Sequence, residues 1–441
     1  MTAVSDPIVI VGGGWAGLAA AVELSGRGHR VVVLESSRQL GGRARRLAFG
    51  DDGVDNGQHL LIGAYRETLA LMARVGIREQ TAMLRLPLRL EVRAANGTLV
   101  LAAPRLPAPL HLGAALLAGG GLRLGERWRA LGFALRHYLQ GFRLREDCSV
   151  AELLADQPSR LKELLWHPLC LATLNTLPTQ ASAQVFLRVL RDSFAHHRRD
   201  SDLMIPRLDL GRAFPEPALD FIERHGGQVR LCSRVTALEV KDGRIAAVRL
   251  GSERLSAAQV ILAVPPGAAA RLLSHHGSTA PLADTLAQFG HEPITTVYLR
   301  YPVEARLPAE MVGLAGGFTQ WLFDRRVYGQ PGLLAAVISG PGEHVELERE
   351  PLAARIAAEV AAHFPTLPAP TEHLVVREKR ATFRCTVGID ARRPAAATPL
   401  AGCWLAGDYT DTGYPATLEG AVRSGVQCAR LVDTQLRPKT P

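Results

Sequence analysis

The hydrophobic pattern opens with a continuous β-branched run, Ile8-Val9-Ile10-Val11, bounded at once by Gly12-Gly13-Gly14. A run without polar alternation is what a parallel strand buried on both faces requires. Residues 16–25 follow as an alanine-rich helix stopped by Gly26-Arg27-Gly28, and residues 30–34 give a second apolar strand. This β-α-β order opens a doubly wound sheet. Residues 65–75 carry helical spacing, and 84–101 alternate as a hairpin turning at Asn96-Gly97. From 104 to about 190 strand signals vanish, and Leu, Ala and Arg are arranged around Trp128, Phe133, Tyr138 and Trp166, as in an inserted helical region. Short strands return over 228–264, with a turn at Lys241-Asp242-Gly243, and close in a buried run at 260–264 before Pro265-Pro266. Further strands are expected at 293–301, 317–323, 333–339 and 403–406, with helices at 352–364 and 416–435.

The pattern predicts an α/β fold: a discontinuous Rossmann-like nucleotide-binding domain (1–85, 205–285, 385–441) and an inserted α+β substrate domain (86–204, 286–384). With 47% hydrophobic residues in 441, the chain can bury a large core. The net charge of +9 comes mostly from dispersed arginines, without a basic run interleaved with aromatics, so nucleic acid is not an expected partner. Such a surface equally suits an anionic membrane face. Arg123, Arg127, Arg129 and Arg136, beside the apolar 112–124, read as a helix face or as a membrane contact within a helical part near 104–145. The six cysteines, Cys148, Cys170, Cys232, Cys385, Cys403 and Cys428, show no metal-like spacing and read as buried thiols of a reducing compartment, with no metal site expected. Residues 1–7 lack a signal-peptide pattern and no apolar stretch is long enough to span a bilayer, so a cytoplasmic protein is expected, peripheral to the inner face of the membrane.

In Gly12-Gly13-Gly14-Trp15-Ala16-Gly17 the glycines fall at GxGxxG spacing. Gly12 permits a tight turn, Gly14 lets backbone approach a pyrophosphate, and Gly17 lets helix and strand pack closely. The helix N-terminus then offers free N–H groups to phosphate. Glu35, ending the second strand, can accept hydrogen bonds from both ribose hydroxyls.

A second cluster, Leu40-Gly41-Gly42-Arg43-Ala44, together with Leu405-Ala406-Gly407-Asp408, resembles the flavin amine oxidase and phytoene desaturase superfamily. Asp55-Asn56-Gly57-Gln58-His59-Leu60-Leu61-Ile62-Gly63-Ala64-Tyr65, Arg377-Glu378-Lys379-Arg380-Ala381-Thr382-Phe383, and Gly407-Asp408-Tyr409-Thr410-Asp411-Thr412-Gly413-Tyr414-Pro415-Ala416-Thr417-Leu418-Glu419-Gly420-Ala421-Val422 are more specific and resemble the bacterial hydroxysqualene dehydroxylases. That resemblance implies an amine-oxidase-like fold, FAD as cofactor, and reductive conversion of hydroxysqualene to squalene in squalene and hopanoid biosynthesis. It implies that Arg43 adds charge beside the FAD pyrophosphate, that Asp408 bonds the ribityl or pyrophosphate region, and that the last helix aims its N-terminus at the flavin ring. It extends the cofactor contacts to Trp15, Ala16, Ser36, Gly41, Gly42, Gly57, Gln58, His59, Val235, Gly407, Thr417 and Leu418.

Other readings remain beside it. An amine oxidase usually carries a lysine on the strand aligned with 294–298, where this chain reads threonine, and paired aromatics that 377–394, holding only Phe383, lack. A carotenoid-type desaturase or isomerase shares the fold, as do the prenyl-binding Rab GDP-dissociation inhibitors, which would not need an intact flavin site. For proton delivery the candidates are His59, Asp411 and Tyr414, with His59 read equally as structural and Asp55 as structural. His196-His197-Arg198-Arg199-Asp200 reads as a solvated loop, and Trp321 and Phe323 as core that could line a substrate cavity. With one dinucleotide fingerprint visible, reducing equivalents must come from outside the chain.

Overall fold

The computed structural model describes residues 6–95 and 97–437. Asn96 of the predicted hairpin turn and residues 1–5 of the N-terminal reading lie outside them. The opening strand Ile8–Val11, wholly buried, sits at the centre of a five-stranded parallel sheet between Val31–Leu34 and Gln259–Leu262, with Gln228–Arg230 and Cys403–Leu405 at the edges. Helix Trp15–Ser25 leaves its C-terminal end and packs on the final helix, Leu418–Leu436. Their approach is close because Gly425 has no side chain: a Cβ there would lie 2.1 Å from the Ala16 carbonyl oxygen. The meander Ala237–Lys241, Arg244–Leu250 and Glu253–Ser256 turns at Asp242 and Gly243, both at positive φ as a tight hairpin requires.

The second layer is a seven-stranded sheet in the order Glu372–Phe383, His291–Arg300, Leu333–Ser339, Trp321–Asp324, Met311–Leu314, Arg89–Ala94, Gly97–Ala102. Its pairs are antiparallel except that between Met311–Leu314 and Arg89–Ala94. The expected 84–101 hairpin is shorter, because Met83–Leu86 pairs instead with Leu203–Pro206 in a small sheet shared with Leu61–Ile62. The inserted helices include Leu110–Ala118, Leu124–Leu139, His167–Leu174 and Ala183–Phe194. Phe133 and Trp166 are buried with ring centroids 4.9 Å apart, but Trp128 and Tyr138 stand out in solvent, 58% and 42% exposed.

Cys232 is exposed and Cys148 half-buried, so the thiols are not uniformly internal. The 196–200 segment is solvated at His196, His197 and Arg199, as read, but is also fastened: it enters a short 3-10 turn whose Asp200 is buried, accepting from the His197 amide (3.0 Å) and the Arg66 guanidinium (2.8 Å).

Candidate active site

A cavity of about 1000 Å³ runs between the two sheets. Its polar end is built from the glycine turn. Gly14 caps helix Trp15–Ser25 with no side-chain acceptor, and the first turn carries no acidic residue, so the positive end of the helix is left for a ligand. A Cβ on Gly14 would meet nothing nearer than the Gly42 Cα at 4.0 Å. The space it faces is a cradle between two glycine backbones, of the kind that close approach of a pyrophosphate needs. Gly17, by contrast, is absent from the cavity wall, and its missing Cβ would fall 2.0 Å from the Gly12 carbonyl oxygen; it serves helix packing. All the other cofactor-contact residues expected from the sequence line the cavity.

Glu35 holds the glycine turn itself, accepting from the Gly13 amide through Oε2 and the Ser37 amide through Oε1, both at 2.7 Å. A carboxylate has about four lone-pair sites, so acceptor capacity remains for ribose hydroxyls. Arg43 donates to Asp408 Oδ1 (2.7 Å) and to the Ala381 carbonyl (2.9 Å), tying the GGR segment to the Gly407-Asp408 turn and to the long edge strand. Its charge is engaged by Asp408 across the cavity wall. These residues fit FAD: an uncapped helix end, a side-chain-free cradle and an acidic ribose partner follow one another along one wall.

Past Asp408 the cavity meets Thr417, which caps the last helix by accepting from the Gly420 amide (3.1 Å), two residues later than the sequence suggested. Glu419, wholly buried, accepts from the Thr68 amide (2.9 Å) and hydroxyl (2.7 Å) and pairs with Arg423 at 2.7 Å. Opposite lies the Gly57-Gln58-His59 turn, reached through Gly57 at φ +118. The cavity's far end is apolar, walled by Leu90 and Val92 of one strand, Leu164 and Leu165 of the insert, and Trp321 and Phe323, so the strand read as core also lines the cleft.

The three proton-delivery candidates separate. His59 lines the cavity with its Nε2 buried and without a partner, and burial, aided by Arg325, pushes its pKa down to about 4, so the imidazole is neutral at ordinary pH. Tyr414 is a buried cavity residue; its hydroxyl accepts from Arg423 at 3.2 Å, and the guanidinium carbon lies 4.1 Å from the ring centroid. Asp411 is exposed and outside the cavity wall, its amide spent on the Pro394 carbonyl (2.9 Å). Asp55 is buried and off the wall, accepting from the Leu210 amide at 2.8 Å, and burial raises its carboxyl to about 7. The sequence reading missed Arg423 and Arg325, which stand behind the wall, since single arginines in a chain rich in arginine carry no pattern; Tyr65 and Tyr409, which line the wall, lay inside quoted motifs without being singled out.

At the strand that would carry an amine-oxidase lysine, Ile294 lines the cavity and Thr296 is buried with its hydroxyl 3.4 Å from the Gln58 amide. The fold and this cavity together define an FAD-dependent oxidoreductase. The sequence matches the family described as flavin containing amine oxidoreductase over residues 15–433. It is 32% identical to the hydroxysqualene dehydroxylase of Rhodopseudomonas palustris, over 97% of this chain and 98% of that one. It is 24% identical to the 15-cis-phytoene desaturase of Solanum lycopersicum, over 96% of this chain and 77% of that one. The structure superposes on cyclohexylamine oxidase from Brevibacterium oxydans with a TM-score of 0.71 at 16% identity, covering 98% and 99% of the two chains, a likeness of fold. The chain belongs to the flavin containing amine oxidoreductases and, within them, to the hydroxysqualene dehydroxylases.

Proposed function

We propose that the protein removes the hydroxyl of hydroxysqualene reductively, giving squalene and water. The observation that carries this reading is the single cavity that joins an FAD cradle to an apolar cleft, in a chain that shares its whole length with a hydroxysqualene dehydroxylase. Residues 1–85, 205–285 and 385–441 serve as the cofactor-binding part, and 86–204 with 286–384 as the substrate-binding part. The glycine turn and Glu35 hold the ADP half of FAD, and Asp408, fixed by Arg43, the ribityl region.

Bound here and reduced by an external donor, FAD would supply the hydride. The apolar wall aligns the isoprenoid and keeps water from the reacting carbon. Hydroxide leaves only if protonated, and a positioned acid contributes about 10²–10⁴-fold. Tyr414 delivers that proton: burial raises its pKa, so the phenol stays protonated, and Arg423 beside it stabilises the phenolate left behind. His59, being neutral, orients the leaving hydroxyl.

Photoreduced protein mixed anaerobically with hydroxysqualene is the test. Flavin should reoxidise as squalene forms, one for one. Inert hydroxysqualene, together with desaturation of squalene or phytoene by the oxidised protein, would overturn the assignment in favour of a desaturase.

A lipid surface is the proposed partner for so insoluble a substrate. No helix among the described residues is long and apolar enough to cross a membrane. Of thirteen exposed large hydrophobic residues among those described, however, eight lie between 106 and 139, among them Leu110, Leu124, Trp128, Leu135 and Leu139. Exposed Arg123, Arg129 and Arg136 share these helices, while Arg127 is turned inward to the Leu117 and Leu122 carbonyls. Each basic residue near an anionic bilayer is worth about 1 kcal/mol, and inserted apolar area adds about 25 cal/mol per Å². Flotation with anionic liposomes should therefore weaken in high salt without vanishing, and Leu124→Asp with Leu139→Asp should abolish it. Flotation unaffected by that double substitution would place the contact elsewhere.

A further inference from the structure

Arg325, the residue after strand Trp321–Asp324, is fully buried and forms no part of the cavity wall. Its Nε donates to Gln330 Oε1 and its Nη1 to Gln58 Oε1, both at 2.7 Å, while Nη2 has no partner. The guanidinium carbon lies 3.8 Å from the centroid of the Tyr328 ring and 5.4 Å from that of Tyr298. Around it, Gln58 donates onward to the Tyr328 hydroxyl (2.8 Å) and the His59 carbonyl (3.2 Å), Gln330 to the Gly53 carbonyl (2.8 Å), and the Tyr298 hydroxyl to the Asp55 carbonyl (2.9 Å). The network fastens residues 53–59 to the second sheet at three points.

A buried guanidinium is expensive unless an anion faces it. The buried carboxyl near it, Asp55, is not hydrogen-bonded to it: one oxygen takes the Leu210 amide and the other has no partner. A fold that needed only a tie between Gln58 and Gln330 could use a neutral side chain. The charge therefore asks for a purpose, and the wall in front of it is the Gly57-Gln58-His59 turn.

We infer that Arg325 is a positioning residue of the active site: it clamps Gln58, and through it the His59 turn, and sets a fixed positive charge behind that turn. The groups beside the turn are Asp55 on its own segment, Tyr298, Tyr328 and Arg325, and among them Arg325 is the one whose charge acts on His59. Burial is the larger reason that His59 is neutral, with Arg325 second, so removing the charge should raise the His59 midpoint while leaving it below the ordinary value.

The inference rests on the FAD assignment; its titration arm is independent of the substrate, while its kinetic arm rests on hydroxysqualene as the oxidant and is read against the wild-type rate with the same substrate. Its test is an NMR titration of histidine-labelled, FAD-loaded protein, with His59→Asn locating the His59 signal. Wild type should hold His59 neutral down to about pH 4. Arg325→Gln should shift that midpoint upward. Arg325→Lys keeps the charge but not the planar fork, so it should leave the midpoint low. The same Lys variant, and Gln58→Leu, should slow flavin reoxidation by hydroxysqualene by up to about 10²-fold per bound flavin through misplacement of the turn, with rates normalised to FAD content because Gln58 itself lines the cofactor cavity. An unshifted His59 midpoint in FAD-loaded Arg325→Gln overturns the electrostatic role. If Arg325→Gln does not fold, wild-type reoxidation rates in both Arg325→Lys and Gln58→Leu overturn the clamp.

Discussion

Valine in place of Gly14 should give a folded protein that purifies without flavin. Gly14 adopts φ −77 and ψ 177, an extended conformation open to any residue, and the nearest atom a Cβ would meet is 4.0 Å away. The protein itself therefore tolerates the side chain. What the side chain fills is the space through which backbone approaches the pyrophosphate, and the free N–H groups of helix Trp15–Ser25 are screened with it. Gly17→Ala is the contrasting variant: its Cβ would lie 2.0 Å from the Gly12 carbonyl oxygen, and overpacking of that kind costs about 1–3 kcal/mol or more. Far-UV circular dichroism and the flavin absorbance of the purified protein separate the two effects. A Gly14→Val protein with stoichiometric FAD would mean that the phosphates lie elsewhere.

The parts of the fold legible in the sequence are those where one physical demand dominates. Ile8–Val11 is buried on both faces and reads as an unbroken apolar run; the glycines after it are fixed by backbone approach; Asp242-Gly243 answers a hairpin's need for positive φ. Strand Glu372–Phe383, twelve residues long, was quoted only in part as a motif and not read as a strand, because it is the edge of its sheet and carries Arg377, Glu378, Lys379 and Arg380 in succession. Charges on an edge strand guard against further pairing and erase the period-two signal. The pattern over 104–190 showed a helical region around Trp128, Phe133, Tyr138 and Trp166 but not which of them face inward, and the structure buries Phe133 and Trp166 while exposing Trp128 and Tyr138. The polar wall of the cavity could be anticipated because its glycines and carboxylates stand in short motifs. Arg325 and Arg423 act across more than two hundred residues and across one helical turn respectively, on partners that only the folded chain reveals.

The same limit separates two neighbouring candidates for proton delivery. Asp411 and Tyr414 are three residues apart in one motif, yet the turn at Gly413, φ +72, sends Tyr414 to the cavity and leaves Asp411 in solvent. Tyr414→Phe should therefore slow the chemical step by about 10²–10⁴-fold, the contribution of a positioned acid, while FAD stays bound. Asp411→Asn should leave the step unchanged. His59→Ala should slow the step less than Tyr414→Phe, since a neutral imidazole orients the leaving hydroxyl without supplying the proton. The pH profile carries the sign: a phenol whose pKa is raised by burial remains protonated as pH rises through neutrality, so the wild-type rate should be flat there, with no descending limb at the usual histidine range. Single-turnover reoxidation of photoreduced enzyme by hydroxysqualene, run in heavy water as well, measures these rates and shows a solvent isotope effect if proton delivery accompanies C–O cleavage. A Tyr414→Phe enzyme reacting at the wild-type rate, or a rate that falls with pH through the ordinary histidine range and becomes flat in His59→Ala, would move the acid from Tyr414 to His59.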